Sequence, residues 1–76
     1  MEFSMKDGYM VDYKQVSGQA YTGVIFGHDI PNGSQAAVGT TVAEVIELLK
    51  NMVYPAQIPD NVWDDLKEMI KENGFK

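Results

Sequence analysis

Two glycine-containing turns near the N-terminus constrain this chain more than any other feature, because together they set the register of a small antiparallel sheet. The first candidate hairpin runs Glu2-Phe3-Ser4-Met5, then Lys6-Asp7-Gly8, then Tyr9 to Tyr13. A two-residue Asp7-Gly8 loop would set Met5 against Met10 and Phe3 against Asp12. A three-residue loop with Gly8 left-handed, in a G1 bulge, sets Met5 against Tyr9 and Phe3 against Val11. The second choice gathers Phe3, Met5, Tyr9, Val11 and Tyr13 on one face. A slip of one residue would turn that whole set to water, so the bulged register is preferred.

The next turn, Val16-Ser17-Gly18-Gln19, reads as a two-residue hairpin loop into a third strand, Gln19 to Gly27. Val16 then lies opposite Gln19, Tyr13 opposite Thr22, Val11 opposite Val24, and Tyr9 opposite Phe26. Thr22, Val24 and Phe26 join the inner face. Met10, Asp12, Lys14, Tyr21, Gly23 and Ile25 are left on the outer one. Residues 28–40 follow as a loop with a turn at Ile30-Pro31-Asn32-Gly33 and a short fourth strand at Gln35 to Val38. Loops of this length are often functional when ordered.

Two helices complete the chain. Thr41 caps the first, over 41–54, with Glu44 three residues on to complete a capping box. Val42, Val45, Ile46, Leu49, Met52 and Val53 recur as one helical stripe, and Pro55 stops the helix near Tyr54. The second, over 59–73, begins near Pro59, with Asp60 at its positive end. Val62, Leu66, Met69 and Ile70 form its inner stripe, with Trp63 on the margin. Gly74 closes it and lets Phe75 fold back on Ile70. The expected architecture is therefore α+β. A three-stranded antiparallel meander over 1–27, with a short fourth strand within 28–40, is packed on one face by two C-terminal helices, all in one small domain spanning 1–76.

At 76 residues and with no cysteine, this chain has neither disulfides nor Cys-based zinc sites to stabilise it. Nothing resembles a signal peptide, and no apolar run approaches the roughly 20 residues of a membrane span. A soluble, cytoplasmic protein with no membrane association is the expectation. The net charge is −5, arginine is absent, and no lysine stands between Lys14 and Lys50. That balance lacks the basic footprint of a nucleic-acid binder.

Candidate sites are few. Met10, Tyr21 and Ile25, on the outer sheet face with no helix left to cover them, form the candidate partner-binding patch, by protein contact or by self-association. His28 beside Asp29 is the sole His–carboxylate neighbour pair, and no serine or cysteine nucleophile sits in a recognisable motif. One histidine builds no metal site, so neither a metal nor a cofactor is expected. Gly39-Thr40-Thr41 leads into a helix N-terminus, which can hold an anion. His28, Asp29, Asn32, Thr40 and Thr41 thus make a candidate ligand site for an anion or nucleotide in the 27–41 segment. Asn32-Gly33-Ser34 also matches a glycosylation acceptor, a pattern that a cytoplasmic chain would not use. Asp60, Asp64, Asp65, Glu68 and Glu72 could imitate a phosphate ladder, but Lys67 and Lys71 interrupt them.

Asp7-Gly8-Tyr9-Met10-Val11 and Val38-Gly39-Thr40-Thr41-Val42-Ala43-Glu44-Val45-Ile46 resemble the pattern of the HicB antitoxins, in which a D-G-Y-x-V strand leads to a G-x-T-x-x-E-A helix start. The resemblance spans about a quarter of the chain and implies a toxin-capping role. The leading expectation is a non-enzymatic protein–protein interaction module, of the small inhibitor or antitoxin-like kind. A small-ligand binder using 27–41 is the alternative, and an acidic nucleic-acid mimic the third reading. No nucleophile–base or paired-carboxylate constellation argues for an enzyme.

Overall fold

The structure, a computed structural model, describes residues 1–76 apart from the side chain of Asp7. Four strands, β1 (Glu2–Ser4), β2 (Met10–Gln15), β3 (Tyr21–Phe26) and β4 (Ser34–Gly39), form one antiparallel sheet in the order β1-β2-β3-β4. Two helices follow, α1 (Val42–Met52) and α2 (Asp60–Glu72). The fold is α+β, with four strands rather than three. The fourth is a full six-residue strand, longer than Gln35 to Val38, and it removes most of the expected loop.

The first hairpin has the expected register. Phe3 pairs with Val11, and the Met5 amide donates to the Tyr9 carbonyl at 2.8 Å. Gly8 sits at φ +84°, the left-handed conformation that favours glycine. Phe3, Met5, Tyr9, Val11 and Tyr13 are all buried.

The second hairpin departs from expectation by one residue. Val11 pairs with Ile25 and Tyr13 with Gly23. The Val16 amide donates to the Ala20 carbonyl at 2.8 Å, so Ser17, Gly18 and Gln19 form a three-residue loop instead of a two-residue one. Because side chains alternate across a strand, this single residue reverses β3. Tyr21 and Ile25 face inward, 8% and 0% exposed, while Thr22, Val24 and Phe26 face outward.

Gly23 supplies a physical reason for this outcome. On the inner face it lies directly under α1. A Cβ built there would stand 2.8 Å from Val45 Cγ1 and 3.3 Å from Leu49 Cδ1. The absent side chain lets the helix settle onto the strand. The register buries Tyr21 and Ile25 and leaves Thr22, Val24 and Phe26 on the outer face. Tyr21 stacks on Tyr13, with ring centroids 5.9 Å apart and planes 15° from parallel.

Helix α1 packs on β3 and β4, and α2 on α1 and β1. Val42, Val45, Ile46 and Leu49 are fully buried, as the stripe predicts. On α2, Val62, Leu66 and Ile70 are buried, and so is Trp63 at 2% exposure, well inside the margin expected for it. Thr41 Oγ1 accepts the Glu44 amide at 3.1 Å, and Glu44 Oε1 accepts the Thr40 amide at 2.8 Å. The capping box therefore closes one residue before the cap. Beyond α2, Gly74 adopts φ +93°, and Phe75 turns edge-on to Phe3, Tyr13 and Tyr21. Its neighbours are this aromatic cluster at one end of the core.

Candidate functional site

Both helices lie on one face of the sheet, so the opposite face has no helix of this chain over it. Alternation places Met10, Asp12 and Lys14 of β2, Thr22, Val24 and Phe26 of β3, and Ser34, Ala36 and Val38 of β4 on that outer face. Its apolar members are adjacent across strands: Met10 opposite Phe26, Val24 opposite Ala36, and Thr22 opposite Val38. Val38 is 59% exposed and Phe26 39%, with Met10 and Val24 half-buried. Asp12 and Lys14 lie toward the far side from β4. The result is an apolar strip over β3 and β4 bounded by charge. The Thr22 hydroxyl donates to the Ala37 carbonyl at 3.1 Å, tying these two strands together beneath it.

The expected patch of Met10, Tyr21 and Ile25 is therefore not assembled. Met10 does lie outside, but Tyr21 and Ile25 belong to the core, because the three-residue loop turned them inward. Val24, Phe26 and Val38 take their place. The signal for this was a glycine at the centre of β3, which marks close approach of another element.

The residues expected to form a ligand site are likewise separated. His28, Asp29 and Asn32 precede β4, whereas Thr40 and Thr41 follow it. Six residues of extended strand hold the two groups about 20 Å apart. Asp29 is engaged elsewhere: the Tyr9 hydroxyl donates to both carboxylate oxygens, at 2.7 and 2.9 Å. The exposed His28 ring lies beside Tyr9, with centroids 6.3 Å apart and planes at 19°. Tyr9 in turn lies against Gly27, where a Cβ would come within 2.5 Å of its ring. This cluster clamps the turn that leads into β4. Asn32, at φ +59°, shapes that turn.

At the N-terminus of α1 the capping groups are met by the protein itself. Thr41 and Glu44 form the box, and the Val42 amide donates to the main-chain oxygen of Lys76 at 2.5 Å. The acidic row on α2 is partly paired with lysines. Asp60 lies 3.5 Å from Lys50, Asp64 3.3 Å from Lys67, and Asp65 3.9 Å from Lys6. These are exposed pairs of small energetic worth.

A shallow groove between the end of α1 and the start of α2 is lined by Val53, Ala56, Ile58 and Trp63, with Lys50 at its rim. Lys50 also faces Glu47, at 3.7 Å. Among the described residues, no group of three or more His, Asp or Glu side chains could hold a metal ion, and no helix is long and apolar enough to cross a membrane. The Tyr13 hydroxyl is fully buried and has no hydrogen-bond partner among the described residues. Burial, with Tyr21 nearby, pushes its pKa up to about 12. It lies in the core beside Tyr21 and Phe75.

Comparison of the chain with family models, with curated proteins and with solved structures returned no match.

Proposed function

We propose that this chain is a non-enzymatic protein-interaction module, of the small inhibitor or antitoxin-like kind, that presents the outer face of its sheet to a protein partner. The observation that supports this reading is the uncovered apolar strip formed by Val24, Phe26 and Val38, with Met10 at its border. Contiguous exposed apolar surface on a small domain is costly to leave in water and commonly marks an interaction site. Aromatic residues and methionine are enriched at such interfaces. A flat, side-chain-lined surface suits a protein partner better than a small molecule, which needs a concave site.

The test is affinity capture from source-cell lysate with wild type and Phe26→Asp, both first shown folded by circular dichroism. A specific protein retained by wild type and lost with Phe26→Asp supports the reading. Capture that is unchanged by Phe26→Asp and by Val24→Lys would remove the outer face from consideration.

A further inference from the structure

Strand β4 ends the sheet, with β3 as its neighbour on one side. The Gly33 carbonyl accepts the Gly27 amide at 3.4 Å, and the Ala37 carbonyl accepts the Thr22 hydroxyl at 3.1 Å. The odd-numbered residues of β4 thus turn their backbone groups toward β3. Alternation along an antiparallel ladder turns those of Ser34, Ala36 and Val38 the other way. No loop, cap or side-chain hydrogen bond among the described residues reaches the outward amide or carbonyl of Ala36 or Val38.

Natural edge strands are usually guarded by a charge, a proline, a bulge or very short length. Ser34-Gln35-Ala36-Ala37-Val38-Gly39 has no charge and no proline, and it pairs without a bulge over six residues. The opposite edge, β1, is three residues long and carries Glu2. We infer that β4 pairs antiparallel with β4 of a second copy of this chain, joining two four-stranded sheets into one of eight strands. The inference rests on the backbone edge of β4, which shares Val38 with the outer face but not Phe26 or Val24 of β3.

A second copy fits for three reasons. A twofold axis through Ala37 sets Ala36 opposite Val38 of the other copy, twice, so outward backbone groups meet outward backbone groups. The same pairing lays each exposed Val38 against an alanine and opposes no charge to any charge. Finally, α1, the helix that packs on β4, carries Leu48 at 42% exposure, so the helix layer also offers apolar surface. Each chain bears −5, so association should strengthen as salt screens the repulsion.

The test is sedimentation velocity over about a hundredfold dilution series at low and moderate salt, with amide hydrogen exchange of Ala36 and Val38 read at both ends. The expected result is a shift from 8.5 kDa at the dilute end toward twice that mass, with exchange at Ala36 and Val38 slowed about tenfold or more in the concentrated sample. Ala36→Pro removes an outward amide and should hold the protein at single-chain mass. Val38→Lys changes an exposed side chain, keeps the fold, and should do the same. Phe26→Asp should still dimerise while losing any lysate partner, which separates this inference from the proposed function. A single-chain mass throughout, a dimer that survives both edge variants, or an edge that accepts only a foreign strand would each overturn it.

Discussion

Gly23→Ala is expected to destabilise the protein, although alanine in place of a strand glycine ordinarily stabilises. Replacing a strand glycine normally gains about 0.5–1 kcal/mol by restricting the unfolded chain. Here the new methyl would meet Val45 Cγ1 at 2.8 Å and Leu49 Cδ1 at 3.3 Å, with Tyr13 Cδ2 at 3.5 Å. Val45 and Leu49 are fully buried and cannot swing into solvent. Overpacking of this kind costs about 1–3 kcal/mol. The balance is a loss centred on about 1 kcal/mol and reaching about 2.5 kcal/mol, which lowers the urea midpoint by about 1 M or more for a domain with a slope near 1 kcal/mol/M. A double-mutant cycle with Val45→Ala should show favourable coupling, since a smaller residue on α1 makes room for the methyl. The reasoning is refuted if Gly23→Ala is neutral or stabilising. That result would mean Gly23 faces outward, as it does in the two-residue-loop register, and that β3 is reversed.

Three further outcomes are expected. Gly27→Ala places a methyl within 2.5 Å of the Tyr9 ring, so it should cost about 1–3 kcal/mol and release the Tyr9–Asp29 hydrogen bonds, seen as a shift of the Tyr9 ring signals by NMR. Thr41→Ala removes the acceptor for the Glu44 amide and should lower stability by about 0.5–2 kcal/mol in urea unfolding, whereas Thr41→Ser should not. Tyr13 ionises near pH 10 when unfolded but only near pH 12 when folded, so the folded state holds its proton longer and stability falls as pH rises from 10 to 12. This loss amounts to at most about 3 kcal/mol. Tyr13→Phe should remove that part of the pH dependence in paired denaturation curves, and at pH 7 it should be neutral or slightly stabilising because the hydroxyl lacks a partner among the described residues.

The helices were legible because their signals are local. A capping box at Thr41 and Glu44, a six-member apolar stripe and a proline stop act within a few residues of one another, and α1 formed where they placed it. The first hairpin was legible because Gly8 and the apolar alternation agreed. Trp63 was placed too near the surface because its burial depends on what α2 meets rather than on its own periodicity. Strand β4 was underestimated because serine, glutamine, alanine and glycine carry little strand propensity of their own. The ladder to β3 makes it a strand.

The candidate surface was less legible than the fold. An outer sheet face free of helices followed from the order of elements along the chain, and so did the expectation of apolar residues on it. Which residues occupy it turned on whether the Ser17-Gly18 loop holds two residues or three. Both loops are compatible with Ser-Gly, and both leave an apolar set on each face of β3. By itself, then, the sequence determined the element types, the first hairpin's register and the inner stripes of the helices, since each depends on neighbours within a turn or two. Only the tertiary structure decided the polarity of β3. That choice depends on how closely α1 approaches Gly23, through contacts with Val45 and Leu49 more than twenty residues along the chain.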